Sequence, residues 1–395
     1  MSDNQQKAIE LHKKYQGKLA TTSLVEVKDR EDLALVYTPG VAAVSQAVAN
    51  DHDLSFDLTW RGRTVAVISD GSSVLGLGNI GPEGALPVME GKSLLLKEFG
   101  GVDSVPLVLA TQDPAQIIQF VKNVAPSFAG INLEDIAAPA CFQIEDALQH
   151  LGIPVFHDDQ HGTAIVVTAA LHNAAKVVGK EYHSLKVVVV GAGAAGLAVT
   201  RMLLGLNCSE DSCQRLPGSS SVGDVIVVDS KGAIVIGRED MNIYKQAVAG
   251  LSNKDRQVGP LSEVIEGADV VIGVSGPGNI TPEMIKKMAD KAIVFAMANP
   301  TPEIMPDEAH KAGAYIVATG RSDFPNQINN VLAFPGVFRA VIDGRLSVIT
   351  HEMKEAAAVK LAELVKNPDQ THIIPDLFMP GLAEKISEAI LSSQT

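Results

Sequence analysis

Two pairs of adjacent carboxylates are the residues of this sequence whose types and spacing best fit a chemical role. Glu134–Asp135 and Asp158–Asp159 each end a predicted strand, within GINLED and IPVFHDD. Adjacent carboxylates repel each other and resist burial, so they need a positively charged partner. Four carboxylates without neighbouring cysteine ligands favour a hard divalent cation, Mg²⁺ or Mn²⁺. The alternative for either pair alone is a solvated acidic turn.

A glycine motif lies further along the chain. Gly191, Gly193 and Gly196 form GAGAAG, which follows a run of four valines and opens a predicted helix. The first glycine permits a tight turn, the second lets a pyrophosphate approach the backbone, and the third lets helix and strand pack closely. Ala194 and Ala195 complete the loop at the helix N-terminus, which attracts the anion. The motif predicts a dinucleotide site; the alternative is a structural turn with fortuitous glycines.

The acidic residue expected to hold the cofactor ribose is Asp229, which ends the predicted strand VIVVDS. It lies 33 residues after Gly196, where about 20 is usual, because a Ser- and Gly-rich insertion at 207–223 separates helix and strand. A carboxylate repels a 2′-phosphate and so favours NAD, whereas Lys231 could accept that phosphate and permit NADP.

Two further residues could be catalytic, but only if the fold places them at a site. Lys92 lies among apolar residues in VMEGKSLLLKEF, where burial would lower its pKa and make it a base. The alternative is a surface lysine on a helix. Tyr37, in YTPG, has the alternative of a packing group before a proline turn. The local pattern alone makes neither residue catalytic.

Predicted strands and helices alternate along the chain, as is typical of α/β proteins. Helices are predicted at 5–15, 93–100, 113–128, about 163–178 and 351–365, and the glycine-rich segment 75–92 is predicted to bring backbone close to a ligand. The expected fold class is therefore α/β. It combines an N-terminal α/β substrate and metal domain, 1–160, with a C-terminal Rossmann-like domain, 161–395, which has a doubly wound parallel sheet and C-terminal helices.

Composition limits the partners and the location. A chain of 395 residues is too long for one ordinary core, and the formal net charge of -14 disfavours nucleic acid. The N-terminus is polar, and the longest apolar run, 187–200, is shorter than the ~20 residues of a membrane helix. Cys141, Cys208 and Cys213 do not form a disulfide framework, and the last two are predicted to be loop thiols. A cytoplasmic protein without a membrane partner is expected.

Several stretches together resemble the malic enzymes, specifically the short bacterial type. They occur in the family's order over about residues 37–340, and they are YTPGV, VISDGSSVLGLGNIGPEGALPVMEGK, INLEDI, VFHDDQHGTA, GAGAAG, FAMANP and PNQINNVLAFPG. The resemblance implies oxidative decarboxylation of L-malate to pyruvate and CO₂ with reduction of NAD or NADP, and a need for Mg²⁺ or Mn²⁺. A homodimer, built through the N-terminal helices, is also implied.

The resemblance also implies roles for individual residues. The metal ligands fall on Glu134, Asp135 and Asp159, the general base on Lys92, the general acid on Tyr37, and contacts to substrate or nicotinamide on Lys92, Asn299 and Asn330. We expect Asp158 to point toward the Lys92 ammonium, which would offset its repulsion from Asp159.

The sequence departs from longer malic enzymes at one position. They carry an arginine after the DG of this segment that grips a substrate carboxylate, whereas here Ser72 and Ser73 follow. Backbone N–H groups of GLGNIG or a residue of a second subunit would hold the anion instead. Conversion of malate to lactate, or oxaloacetate decarboxylation, is an alternative reaction on the same scaffold, and a non-catalytic NAD-binding protein is the alternative class.

Overall fold

Residues 3–208 and 212–394 are described by the structure, a computed structural model. The first part of the chain forms a four-stranded parallel sheet in the order β2-β1-β3-β4. Its strands are β1 Thr64–Ser69, β2 Asp103–Val108, β3 Gly130–Leu133 and β4 Val155–His157. Because all four run in parallel, their carboxyl ends meet at one edge, where both carboxylate pairs follow β3 and β4.

Helices precede and connect these strands. They are α1 Asp3–Tyr15, α2 Arg30–Val36, α3 Gly40–Asn50, α4 Leu54–Leu58, α5 Gly81–Gly100, α6 Pro114–Val124 and α7 Ala140–Leu148. The predicted cap of α6 is confirmed, since the Asp113 carboxylate accepts the N–H groups of Ala115 and Gln116. The glycine-rich segment is helical from residue 81, earlier than predicted, because its apolar residues Ala85 and Met89 continue the buried face of α5.

The second part of the chain forms a six-stranded sheet in the order β12-β11-β10-β5-β8-β9. The strands, with a separate β6–β7 hairpin, are β5 Lys186–Val190, β6 Leu206–Cys208, β7 Cys213–Arg215, β8 Asp224–Asp229, β9 Gly232–Ala233, β10 Val270–Gly273, β11 Ile293–Ala296 and β12 Ile316–Thr319. Within the six-stranded sheet of the described residues, only β9 pairs antiparallel. The order reverses at β5, and ligands bind at such a switch point.

Helices follow and connect the strands of this sheet, and α14 and α16 pack against α5 of the first part. They are α8 Asp158–Val178, α9 Ala194–Leu203, α10 Ile243–Ala249, α11 Leu261–Val264, α12 Pro282–Ile285, α13 Pro306–Ala312, α14 Phe334–Gly344, α15 His351–Leu364 and α16 Leu382–Ser392. Val187 and Val189 of β5 enter one apolar cluster, whereas Val188 and Val190 enter another. Burial on both faces explains the unbroken valine run, and it confirms the predicted fold class.

The sequence predicts that the second carboxylate pair ends a strand, but in the structure this pair begins a helix. Strand β4 stops at His157, and α8 starts at Asp158, five residues before the predicted start near 163. Carboxylates in the first turn of a helix are stabilised by its dipole, which is why the helix extends through them. Residue 160 therefore lies within α8, and the division of the chain into domains there stays a prediction.

The insertion at 207–223 contains a feature that the sequence reasoning missed. Cys208 and Cys213 are joined by a disulfide across the β6–β7 hairpin, so their prediction as loop thiols is wrong. They face each other as a cross-strand pair, which brings the sulfur atoms together. Residues 209–211 of the insertion lie outside the described residues. Cys141 is a buried free thiol.

The N-terminal helices leave apolar side chains at the surface. The segment Arg30–Asn50 has the length and apolar composition of a membrane span, yet none of it is buried. The turn at Tyr37–Pro39 divides it into helices of 7 and 11 residues, each shorter than the ~20 residues a span requires. Its exposed apolar residues therefore need a different explanation.

Candidate active site

A cavity of about 880 Å³ opens where the carboxyl edges of the two sheets face each other. The loops after β1, β3, β5, β10 and β11 line it, together with α5 and the first turn of α8. Predicted site residues that line it are Lys92, Glu134, Asp135, Asp159, Gly193, Ala194, Ala195, Asn299 and Asn330. Residues distant in sequence therefore meet in one space.

Three carboxylates converge on one wall of this cavity. One oxygen from each of Glu134, Asp135 and Asp159 lies within 4.8 Å of the others. The backbone fixes this arrangement: the Glu134 N–H donates to Ile68 at 2.9 Å, and the Asp135 N–H donates to Asp159 Oδ2 at 2.8 Å. Asp135 has a φ of 54°, which turns its side chain toward the other two. Three oxygen donors at this spacing fit a hard divalent cation.

Lys92 is buried beside this cluster. Its Nζ lies 2.8 Å from Glu134 Oε1 and 2.5 Å from Asp158 Oδ2, as expected for Asp158, and 4.2 Å above the Phe334 ring. Burial alone would lower the pKa of Lys92, but the charges of Asp158 and Glu134 outweigh it and raise the pKa. The expectation of a lowered pKa is therefore wrong for this arrangement, because sequence could not count the facing carboxylates.

Asp158 is fully buried behind the cavity wall. Its Oδ2 accepts hydrogen bonds from Lys92 and from Asn330 Nδ2. Burial raises its pKa to about 7; Lys92 opposes the rise and Glu134 adds to it. Lys92 and Asp158 thus both hold protons more tightly than usual, because four carboxylates face a single ammonium. A Cβ on Gly162 would come within 1.9 Å of Asp158 Oδ1, so only glycine fits there.

The GAGAAG loop forms the turn between β5 and α9. Gly191 has a φ of +116°, and a Cβ there would lie 2.6 Å from the Val274 carbonyl oxygen. A Cβ on Gly196 would lie 1.8 Å from the Gly191 carbonyl oxygen, so helix and strand need this glycine to pack. No described atom within 4 Å would meet a Cβ on Gly193, where space remains for a ligand. Helix α9 begins at Ala194 with its N–H groups unpaired by a side-chain cap.

A second cavity, of about 520 Å³, adjoins this loop and contains Asp229. Asp229 accepts hydrogen bonds from Arg238 Nη2 at 2.5 Å, Lys245 Nζ at 2.7 Å and the Lys231 N–H at 3.0 Å. Burial opposes ionisation, but these bonds hold the pKa of Asp229 well below its usual range. No motif in the sequence marks Arg238 and Lys245, which lie 9 and 16 residues further along.

Family models match both parts of the chain. The malic enzyme N-terminal domain matches residues 16–116, and the malic enzyme NAD-binding domain matches residues 160–392. This chain belongs to the malic enzyme family. As a malic enzyme it carries out the oxidative decarboxylation of malate with NAD(P). The predicted family and reaction are confirmed.

Relatives resemble this malic enzyme over nearly its whole length. It is 50% identical to the bifunctional malic/malolactic enzyme of Bacillus subtilis, over 98% of this chain and 92% of that one. It is 51% identical to the NAD-dependent malic enzyme of Geobacillus stearothermophilus, over 95% and 76% of the two chains. The crystal structure of the NAD-dependent malic enzyme of Thermotoga maritima superposes with a TM-score of 0.90 at 46% identity, covering 97% and 98%.

One predicted residue is not brought into the active site of this malic enzyme by its own chain. Tyr37 ends α2 and is 64% exposed. It is not among the described residues that line the active-site cavity. Asn299 and Asn330 do line it, and Asn330 also contacts Asp158.

The structure adds residues that position or complete the site of this malic enzyme. Glu303 is fully buried and accepts N–H groups of Ser275 and Ala298, which ties together the loops after β10 and β11. Lys18 lines the active-site cavity, and its Nζ donates to the Pro87 carbonyl at 2.7 Å. No motif marked either residue, because the Ser275–Glu303 contact spans 28 positions of sequence and the Lys18–Pro87 contact spans 69.

Proposed function

We propose that this chain is a divalent-cation-dependent malic enzyme that prefers NAD and works as a homodimer. The observation that carries the proposal is the meeting of Glu134, Asp135, Asp159 and Lys92 in one cavity with the dinucleotide loop. We also propose the domain division at residues 160 and 161 and a cytoplasmic location, where malate and dinucleotides are available. Mg²⁺ and Mn²⁺ both suit the donor set.

The acidic cluster would hold the cation through Glu134, Asp135 and Asp159. The cation would supply a Lewis acid for the oxygen on which negative charge develops as CO₂ leaves, and would weaken the carboxylate field on Lys92. Without further positive charge, one ammonium faces four carboxylates, which favours cation binding electrostatically. The residues therefore fit the cation that the reaction requires.

Lys92 and Asp158 would move the proton of the malate hydroxyl. Lys92 lies on the cavity wall, whereas Asp158 lies behind it, in contact at 2.5 Å. The pKa of Asp158 is raised to about 7, so it could take a proton from Lys92 near neutral pH once a bound cation has weakened the carboxylate field that raises the pKa of Lys92. Asn330 holds Asp158 in place. Lys92 would thereby become a neutral amine and accept the hydroxyl proton as hydride leaves C2 for the nicotinamide.

Tyr37 would reach the site from a second copy of the chain. Helices α2 and α3 contain no buried residue. These helices and the segment before them expose several apolar side chains, Leu24, Val25, Val27, Leu33, Leu35, Val36 and Val44. Soluble monomers rarely leave such patches uncovered, and a twofold dimer covers the same patch on both subunits. The dimer would place each Tyr37 beside its partner's cavity as the donor of a proton to C3.

Lys18 would hold a malate carboxylate, in place of the arginine that longer malic enzymes carry. It lines the active-site cavity, and among the described residues that line this cavity the cationic side chains are Lys18 and Lys92. We expect Lys18→Gln to raise the KM for malate about tenfold, since it removes one charged hydrogen bond to substrate. Changes in kcat should stay within about threefold. Lys13→Gln, on the exposed face of α1, is the matched control. A KM shift shared by both variants would count against the assignment.

Asp229 would favour NAD, though only partly, because Arg238 and Lys245 neutralise it. We expect Asp229→Asn to raise the ratio of kcat/KM for NADP over NAD at least about tenfold, since it removes repulsion of the 2′-phosphate. Arg238→Gln should lower the same ratio, because it removes a cation beside that position. Initial rates with each dinucleotide, at saturating malate and Mn²⁺, measure both effects. If this ratio were equal in wild type, Asp229→Asn and Arg238→Gln, Asp229 would have no role in the choice between NAD and NADP.

A second reaction, conversion of malate to lactate, is favoured by the name of the Bacillus subtilis relative. The same assays separate the two reactions by their products. Oxidative decarboxylation yields pyruvate with one reduced dinucleotide per malate, whereas lactate formation yields no net reduced dinucleotide. We expect pyruvate and NADH, because the site holds all the groups that oxidation at C2 requires.

A further inference from the structure

A cavity of about 420 Å³ lies away from the proposed active site, and we name it the Arg201 cavity. It is bounded by α7, α8, α9, β6 and the segment that leads into α15. Its polar lining includes Arg201 of α9 and Lys354 of α15. The described residues that line it are distinct from those that line the active-site cavity, and the proposed reaction uses none of them.

Arg201 faces this cavity with unused hydrogen-bond donors. Its Nε and Nη2 are buried, and neither has a hydrogen-bond partner among the described residues. The guanidinium is held over the Phe142 ring, 5.4 Å from its centre. Burying such donors unpaired costs free energy, so an acceptor in the cavity would stabilise the protein. The guanidinium fork matches the two oxygens of a carboxylate or phosphate group.

Lys354 is a second cation with unused donors. Its Nζ lies 3.1 Å from His161 Nδ1, while His161 Nε2 lies 2.7 Å from Glu145 Oε1. Nε2 therefore carries the ring proton toward Glu145, and Nδ1 accepts from Lys354. This contact uses one of the three ammonium protons. Burial lowers the pKa of Lys354; Glu145 raises it, and Arg201 lowers it further, so the two cations repel each other.

The buried carboxylate of this cavity, Glu145, is already occupied as an acceptor. Glu145 accepts hydrogen bonds from the His157 N–H, Gln160 and His161. Asp146 and Glu352 also line the cavity: Asp146 offsets part of the Arg201 charge, and Glu352 is exposed at the rim. Among the described lining residues, the buried side-chain atoms without a hydrogen-bond partner are all nitrogens, on Arg201 and His351. The unpaired nitrogen atoms of this cavity therefore lack a hydrogen-bond acceptor.

We propose that the Arg201 cavity is a binding site for a small anion, which Arg201 and Lys354 hold through a carboxylate or phosphate group. The N-terminus of α15, 14 residues long, lies at the same cavity and adds a favourable dipole. Through His161 and Glu145 the anion is linked to His157, which precedes the acidic cluster. The cavity is large enough for a small metabolite, and none of its described lining residues lines the active-site cavity.

Calorimetric titration of the full chain tests this site without malate or dinucleotide. Inorganic phosphate and succinate, in separate titrations, distinguish a phosphate ligand from a dicarboxylate. We expect at least one probe to bind wild type, and Arg201→Gln and Lys354→Gln each to weaken that binding about tenfold or more. Lys360→Gln, a lysine change on the same helix outside the cavity, should leave the affinity unchanged. Asp159→Asn should also keep this binding, because it alters only the proposed metal site.

Other outcomes overturn the proposal. These are no binding of either probe, equal affinities in all variants, or the same weakening in Lys360→Gln, which would indicate general charge screening. If Arg201→Gln does not fold, as judged by its melting temperature, Arg201→Lys replaces it. That variant keeps the charge but loses the fork, and it should still weaken binding through the loss of one of two parallel hydrogen bonds.

Discussion

Asp159→Asn is expected to lower kcat for malate oxidation about a thousandfold and to abolish the response of activity to added Mn²⁺. The reason is that Asp159 is one of three carboxylates whose oxygens lie within 4.8 Å of each other, and two ligands hold a cation poorly. Loss of a Lewis acid removes several kcal/mol of charge stabilisation, which corresponds to about this factor in rate. Steady-state rates across a Mn²⁺ titration measure the effect.

The same variant should not be unstable in the absence of Mn²⁺. Burial raises the pKa of Asp159; Lys92 opposes this, and Asp158 adds to it, so its charge disfavours folding. The amide oxygen can still accept the Asp135 N–H. We therefore expect a melting temperature at or above that of wild type without Mn²⁺, and no rise when Mn²⁺ is added. Wild type should be stabilised by Mn²⁺ through mass action.

Asp103→Asn is the matched control for this substitution. Asp103 pairs with Arg63 and Lys97 at the amino end of β2, away from the proposed metal site. It should retain wild-type activity and wild-type dependence on Mn²⁺. If Asp159→Asn kept both properties as well, the assignment of Asp159 as a metal ligand would be rejected.

A hybrid dimer of one Tyr37→Phe subunit and one Asp159→Asn subunit should have about half the wild-type activity, although each parent is nearly inactive. In the hybrid, one cavity keeps its own Asp159 and receives Tyr37 from the other subunit. The second cavity lacks both groups. Loss of a general acid alone lowers the rate by about 10²–10⁴, so the recovery will stand well above either parent. Two different affinity tags allow the hybrid to be purified.

A hybrid dimer of one Lys92→Met subunit and one Asp159→Asn subunit is the control for this experiment. Lys92 and Asp159 line the same cavity within one chain, so no hybrid of these two contains an intact site. This pair should remain inactive. An inactive Tyr37 hybrid would mean that Tyr37 serves its own subunit, and an active Tyr37→Phe parent would mean that it serves no site at all. If sedimentation showed that the wild-type protein is a monomer, the proposed dimer would be rejected.

Local patterns in the sequence were sufficient for several elements. The valine run of β5 predicts a strand buried on both faces, because parallel strands between helices must be apolar throughout. GAGAAG predicts its own turn, since the steric needs of Gly191 and Gly196 are met within that turn and by β10 next to it. Asp113 and Pro114 predict the start of α6, because capping involves only adjacent residues.

Only the tertiary structure decided how tightly the groups of the site hold protons and which residues complete the site. The pKa of Lys92 rises because Glu134 and Asp158, 42 and 66 positions away, face it in a buried space. Only the tertiary structure brings Asp158, at the start of α8, against Lys92 and Asn330. Lys18 and Glu303 join the active site through contacts across 69 and 28 positions, and Tyr37 is exposed and does not line its own chain's cavity. Electrostatic and packing energies depend on distances between residues in space, and separation along the chain does not encode those distances.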